Sequence, residues 1–146
     1  MLKGLKGLFG RDSGEAQARE LIEAGNKAEG EGRLAEARGL YEKALAAAPR
    51  LAAAHLNLGG VLEASGDRAG AEHAYRALLA LEPGNPFASY NLANLEAARG
   101  NAAAAEQLLR KALREKPAFP EAHVALSNLL DQAGRGEDAL ACLRTA

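Results

Sequence analysis

Between Ala52 and Asn85 the chain reads as two helical segments, separated by a turn at Ser65-Gly66-Asp67 and stopped at Pro83-Gly84. Moving the frame by 34 residues in either direction brings the same small, large and turn positions round again, and self-similarity at a fixed period marks a repeat architecture. The turn glycines Gly32, Gly66, Gly100 and Gly134 keep that step, as do the terminating prolines Pro49, Pro83 and Pro117. So do Ala37, Ala71, Ala105 and Ala139, and the large residues Leu58, Leu92 and Leu126. A further set, Gly25, Gly59, Ala93 and Ser127, is always small. Small residues let two helices approach closely, and large ones fill what remains. A proline just past a helix ends it, because it has no N–H and clashes with the preceding turn. The pattern predicts helices over 14–30, 34–47, 52–65, 68–81, 86–99, 102–115, 120–133 and 136–145. Asp12-Ser13-Gly14-Glu15 has the form of a helix start, with Asp12 as N-cap and Glu15 reaching back, so the first helix is expected to begin there.

The motif resembles the tetratricopeptide repeat, 34 residues of helix–turn–helix. That family's pattern has L-G in the first helix, an alanine early in the second, an aromatic after it and a closing proline. Here these are Leu58-Gly59, Ala71, Tyr75 and Pro83, with Ala37, Tyr41, Ala44 and Pro49 matching one repeat earlier. Repeats fall at 18–51, 52–85, 86–119 and 120–146, the last incomplete, after an N-terminal segment of residues 1–17. The resemblance implies an all-α fold, a right-handed superhelical solenoid of antiparallel helix pairs. Each pair buries little alone, so stability comes from stacking on neighbours. The chain departs from the pattern in places. Leu109 and Leu143 replace the aromatic, Leu78 replaces a small residue, and the bulky position early in the first helix holds Leu21, His55, Ser89 and His123.

Composition narrows the function classes. Alanine, which loses no side-chain entropy in a helix, is the most common residue, and β-branched residues are scarce. The net charge of −1 gives no basic footprint for nucleic acid, and stacking aromatics are few. A single cysteine, Cys142, leaves no intramolecular disulfide and fits a reducing, cytoplasmic setting. Residues 1–11, MLKGLKGLFGR, could set Leu2, Leu5, Leu8 and Phe9 on one face, with Lys3, Lys6 and Arg11 elsewhere. The favoured reading is a frayed end or a cap over the first repeat; contact with an anionic membrane or a partner groove is the alternative. The run is too short and interrupted for a span or a secretory signal. The fourth repeat stops at Ala146 before its expected proline. Either a longer parent chain follows or the open end pairs with a second copy, and the former is preferred.

Little catalytic machinery is visible, and the chain is read as non-enzymatic, without cofactor or metal. Gly30-Glu31-Gly32-Arg33-Leu34-Ala35 spells G-x-G-x-x-A, but it follows a helix where a dinucleotide site needs a strand. His55 and His123 share a repeat position and are expected to be packed or half-buried rings, not metal ligands. Cys142 is expected to fill space as a small apolar group.

The candidate site is a groove. In the resembled family, first helices line a concave side where extended peptides bind. Carried over, the partner-binding residues are Asn26, Leu56, Asn57, Phe87, Tyr90, Asn91, Asn94, Val124 and Asn128. An amide offers donor and acceptor together, so it can pair with a peptide backbone whatever its sequence. Asn57 and Asn91 share one repeat position, and Asn26, Asn94 and Asn128 another. That spacing resembles the asparagine ladder in the repeat arm of the O-linked N-acetylglucosamine transferases, although asparagine is also common at both positions across the family. The family's carboxylate clamp, which holds acidic chaperone tails, needs cations where Ile22, Phe87 and Asn91 stand. Chaperone-tail binding is therefore not expected. The favoured function is a protein-interaction scaffold for a peptide or helical segment with apolar anchors. The alternatives are a substrate-recognition arm of a larger transferase and a self-assembling module.

Overall fold

The computed structural model describes the backbone of residues 3–146 and the side chains of residues 13–146. The described residues form eight α-helices: α1 (Lys3–Gly30), α2 (Leu34–Ala47), α3 (Ala52–Ala64), α4 (Arg68–Leu81), α5 (Pro86–Ala98), α6 (Ala102–Glu115), α7 (Pro120–Gln132) and α8 (Gly136–Arg144). The fold is an all-α helical-repeat solenoid of antiparallel pairs, and α2 to α8 end within one residue of the expected limits. The first helix differs: α1 runs unbroken through Asp12–Glu15, so no terminus lies there. Gly14 serves packing here, not a helix start. A Cβ on Gly14 would stand 2.8 Å from the carbonyl oxygen of Ala47, so Gly14 lets α1 pass close over the end of α2. The side chains of Leu2, Leu5, Leu8 and Phe9 lie outside the described residues.

Each first helix stops in the same way. Gly32, Gly66, Gly100 and Gly134 have φ of 76°, 85°, 84° and 75°, a left-handed conformation that costs any residue with a Cβ. The residue after each glycine donates back across the helix end. Arg33 N–H reaches Ala28, Asp67 reaches Leu62, Asn101 reaches Glu96 and Arg135 reaches Leu130, at 2.8 to 2.9 Å. These six-to-one bonds satisfy carbonyls that the helix end would otherwise orphan.

The chain divides into two compact units, Met1–Ala77 and Leu78–Ala146, with the boundary inside α4. In the first unit α2 packs against α1 and α3; in the second α6 packs against α5 and α7, and α8 against α7. Alanines supply much of the packing. Ala18, Ala44, Ala48 and Ala54 form one buried cluster of the first unit, and Ala28, Ala37, Tyr41 and Val61 another. In the second unit Leu109, Phe119, Leu126 and Leu130 are buried among Ala93, Ala105, Ala112, Ala122 and Ala139. Cys142 packs half-buried against this cluster.

Two glycines of the always-small set have a specific cause. A Cβ on Gly25 would fall 2.5 Å from Cε1 of Tyr41, and one on Gly59 would fall 2.3 Å from Cε1 of Tyr75. Both rings are buried, so each tyrosine of a second helix rests directly on the backbone of the helix before it. Where Leu109 stands in place of the aromatic, the glycine position is Ala93, and the two share one buried cluster. A larger partner on one helix is matched by a smaller one on the other.

Candidate functional site

In the first unit the site is built from α1 and α3. Asn26 is exposed on α1, while Leu56 and Asn57 are half-buried on α3. The Asn57 amide donates to Oδ1 of Asn26 at 2.8 Å. The same oxygen lies 2.8 Å from the hydroxyl of Tyr41, which is also 2.7 Å from Oε2 of Glu29. One hydroxyl hydrogen serves both acceptors, so amide, phenol and carboxylate form a single network that fixes the Asn26 rotamer. One repeat later the Tyr75 hydroxyl donates to Oε2 of Glu63 at 3.1 Å.

Both phenols are held above their ordinary range. For Tyr41 burial is the main cause, followed by the hydrogen bond and charge of Glu29. For Tyr75 burial again leads, then the charge and hydrogen bond of Glu63, with Glu29 adding to it. Desolvation and a nearby anion both disfavour a phenolate. These tyrosines therefore act as permanent donors that orient carboxylates. Among the described residues neither Glu29 nor Glu63 has a cationic ion-pair partner, in contrast to Glu15, Glu42 and Glu106, each paired with an arginine.

In the second unit the site comes from α5, α7 and the connection before α7. Phe87 and Val124 are 40% and 49% exposed; Tyr90, Asn91 and Asn94 are half-buried and Asn128 is exposed. Tyr90, Pro120, Glu121, Val124, Ala125 and Asn128 line an open concavity of about 440 Å³. The buried Phe119 ring ties the aromatic residues together. Its centroid is 5.4 Å from that of Phe87, edge to face, and 5.0 Å from that of Tyr90. The ammonium of Lys116 sits 4.5 Å from the Phe87 centroid and 4.8 Å from that of Phe119.

The structure thus joins Asn26 to Asn57, Phe87 to Tyr90 through Phe119, and Tyr90 to Val124 and Asn128 around one concavity. It does not give Asn91, Asn94 or Asn128 a side-chain hydrogen bond among the described residues. The Asn26–Asn57 pair joins one member of each asparagine register across successive first helices. Phe119 and Lys116 were not among the residues expected at the site. The available signal was their departure from the repeat, since the equivalent positions hold Asn85 and Glu82 one repeat earlier.

The two repeated histidines make the same contact through one ring nitrogen. Nε2 of His55 and of His123 each lie 2.8 Å from the carbonyl oxygen of the preceding closing proline, Pro49 and Pro117. Among the described residues no group of three metal-ligating side chains gathers, and no helix is long and apolar enough to cross a membrane.

Comparison with known proteins places the pattern. A sequence family described as tetratricopeptide repeat matches residues 28–86 and 96–146, and a second of the same description matches 61–120. No curated protein matches the sequence. Among solved structures, that of MamA is similar with a TM-score of 0.79 at 20% identity, covering 88% of this chain and 75% of that one. The first repeat domain of Spaghetti (RPAP3), bound to an HSP90 peptide SRMEEVD, has a TM-score of 0.77 at 22% identity, over 82% of this chain and 95% of that one. YrrB, described as having an unusual peptide-binding site, has a TM-score of 0.72 at 21% identity, over 86% of this chain and 64% of that one.

Proposed function

From the premise that this chain belongs to the tetratricopeptide repeat family, we propose that it is a protein-interaction scaffold. Its first helices hold an extended or helical segment of a partner protein. The observation that carries this reading is the concavity edged by Tyr90, Val124 and Asn128. It places an accessible apolar side chain, an aromatic ring and an amide around a space within the roughly 300–1,000 Å³ range of ligand pockets. Aromatic anchors of this kind dominate binding energy in protein interfaces. The Asn26–Asn57 pair supports the same reading in the first unit, because its network leaves amide groups free to meet a peptide backbone. Peptide binding by RPAP3 and YrrB, each of the same fold, agrees with it.

The repeats themselves carry no reaction in this reading; they position a partner. The test is affinity capture followed by quantitative mass spectrometry, comparing the native chain with Asn57→Ala/Asn91→Ala/Tyr90→Ala. Partners depleted in the variant, at unchanged helicity, support the assignment. An identical partner set refutes it.

A further inference from the structure

Residues required by the repeat recur every 34 positions, whereas the lysine–aromatic group of the second unit does not. Lys116 is matched by Ala48 and Glu82, Phe119 by Leu51 and Asn85, and Phe87 by Ala53 and Glu121. Repeats fold without this group, so its presence in one of them calls for another explanation.

Lys116 closes α6, and its backbone N–H returns to the carbonyl of Ala112. Its side chain turns to the two phenylalanine rings, which hold the ammonium within cation–π range. Ring faces attract the charge but leave its hydrogen-bonding capacity largely unused, since an ammonium has three N–H donors. Among the described residues no carboxylate pairs with Lys116, and it differs from the other unpaired cations in being seated on two rings. A cation fixed in place beside a half-exposed Phe87, without an anion, complements an anionic group on a partner.

We infer that Lys116 is a specificity determinant of the binding face, selecting partner segments that carry a carboxylate side chain next to an apolar anchor residue. The inference rests on the scaffold reading above. The anchor occupies the concavity at Tyr90 and Val124, and the adjacent carboxylate meets Lys116 across the Phe87 edge. Tyr90 belongs to both groups, touching Phe119 on one side and lining the concavity on the other. Glu121 lines the concavity too, so a carboxylate is repelled there and accepted at the Lys116 side. The opposed charges give the bound segment one direction.

The test uses an array of short synthetic peptides with a central leucine or phenylalanine, each in versions carrying glutamate, glutamine or lysine at a neighbouring position. Binding to the full chain is read by fluorescence anisotropy, and compared with Lys116→Met, which keeps the aliphatic stem over the rings. Glutamate versions should bind the native chain about 5-fold more tightly than their glutamine counterparts, the scale of a solvent-accessible ion pair. Lys116→Met should erase that preference, so that glutamate and glutamine versions bind the variant equally. Equal binding of glutamate and glutamine versions by the native chain overturns the inference and leaves the scaffold reading intact. So does a preference that survives Lys116→Met. If no peptide binds, or if binding survives Tyr90→Ala with Val124→Asp, the scaffold reading fails and the inference with it.

Discussion

Replacing Gly59 by alanine drives a methyl group into the ring of Tyr75. The new Cβ would stand 2.3 Å from Cε1 and 2.7 Å from Cδ1 and Cζ, where carbon atoms rest at about 3.5–4.0 Å. The tyrosine is 1% exposed, so the ring has no open space to enter. Overpacking of a filled core costs about 1–3 kcal/mol or more, and an overlap this deep belongs at the upper end. Alanine returns about 1 kcal/mol through its better helix propensity, leaving a net loss of about 2 kcal/mol. Tyr75→Leu alone leaves a void and takes the phenol from Glu63, a loss of about 2–4 kcal/mol. The double variant reproduces the Ala93–Leu109 combination of the third repeat, because the methyl enters space that the ring has vacated. Its total loss should fall short of the summed single losses by about 2 kcal/mol, a coupling typical of residues in contact. The assay is urea denaturation followed by circular dichroism and by tyrosine fluorescence, with coincident transitions as the check on two-state behaviour. Gly60→Ala is the control, since a Cβ there meets nothing within 4 Å; it should be neutral or stabilise by up to about 1 kcal/mol. Losses that add to within about 0.5 kcal/mol would refute the steric pairing.

Other expectations are simpler. Gly66 has φ of 85° and open space around its Cβ position, so Gly66→Ala should cost about 1–2 kcal/mol from the backbone alone, and Gly66→Asn less, as read from denaturation midpoints. Leu126 is 2% exposed at the centre of the second unit's core, and Leu126→Ala should cost about 2–5 kcal/mol in the same assay. The buried phenols predict alkaline sensitivity. Folding raises the pKa of Tyr41 and Tyr75, so the unfolded chain releases their protons first, from about pH 10. Their contribution is fully present below that pH and is lost as pH climbs towards the folded values. The urea midpoint should therefore fall above pH 10, more steeply for the native chain than for Tyr41→Phe/Tyr75→Phe; equal slopes would refute the assignment.

Helix limits were legible because their signals are local. A left-handed glycine and a closing proline act on their own turn, whatever surrounds them. The start of α1 was not legible: Asp12-Ser13-Gly14-Glu15 matches a capping sequence, yet the helix runs through it, and its glycine lies against the carbonyl of Ala47, a contact from another helix. The small set and the aromatic set were both readable, whereas their coupling at Gly25–Tyr41 and Gly59–Tyr75 depends on which ring lies over which backbone. The candidate site divides in the same way. Position in the repeat was enough to select first-helix residues that are half-buried or exposed, among them Asn26, Asn57, Tyr90 and Val124. It gave no access to the Asn26–Asn57 bond, which joins different registers, or to Lys116 on Phe87 and Phe119, which follows from the path of a connection.

The seating of Tyr41 on Gly25 and of Tyr75 on Gly59 bears on how such an array can be rearranged. Ring and glycine belong to the same hairpin, so a hairpin moved as a whole takes its steric match along. A chimera spliced at a glycine turn would set tyrosine on alanine, or leucine over a gap. The connections that follow Pro49 and Pro117 are therefore the seams at which duplication, deletion and recombination leave every ring with its seat.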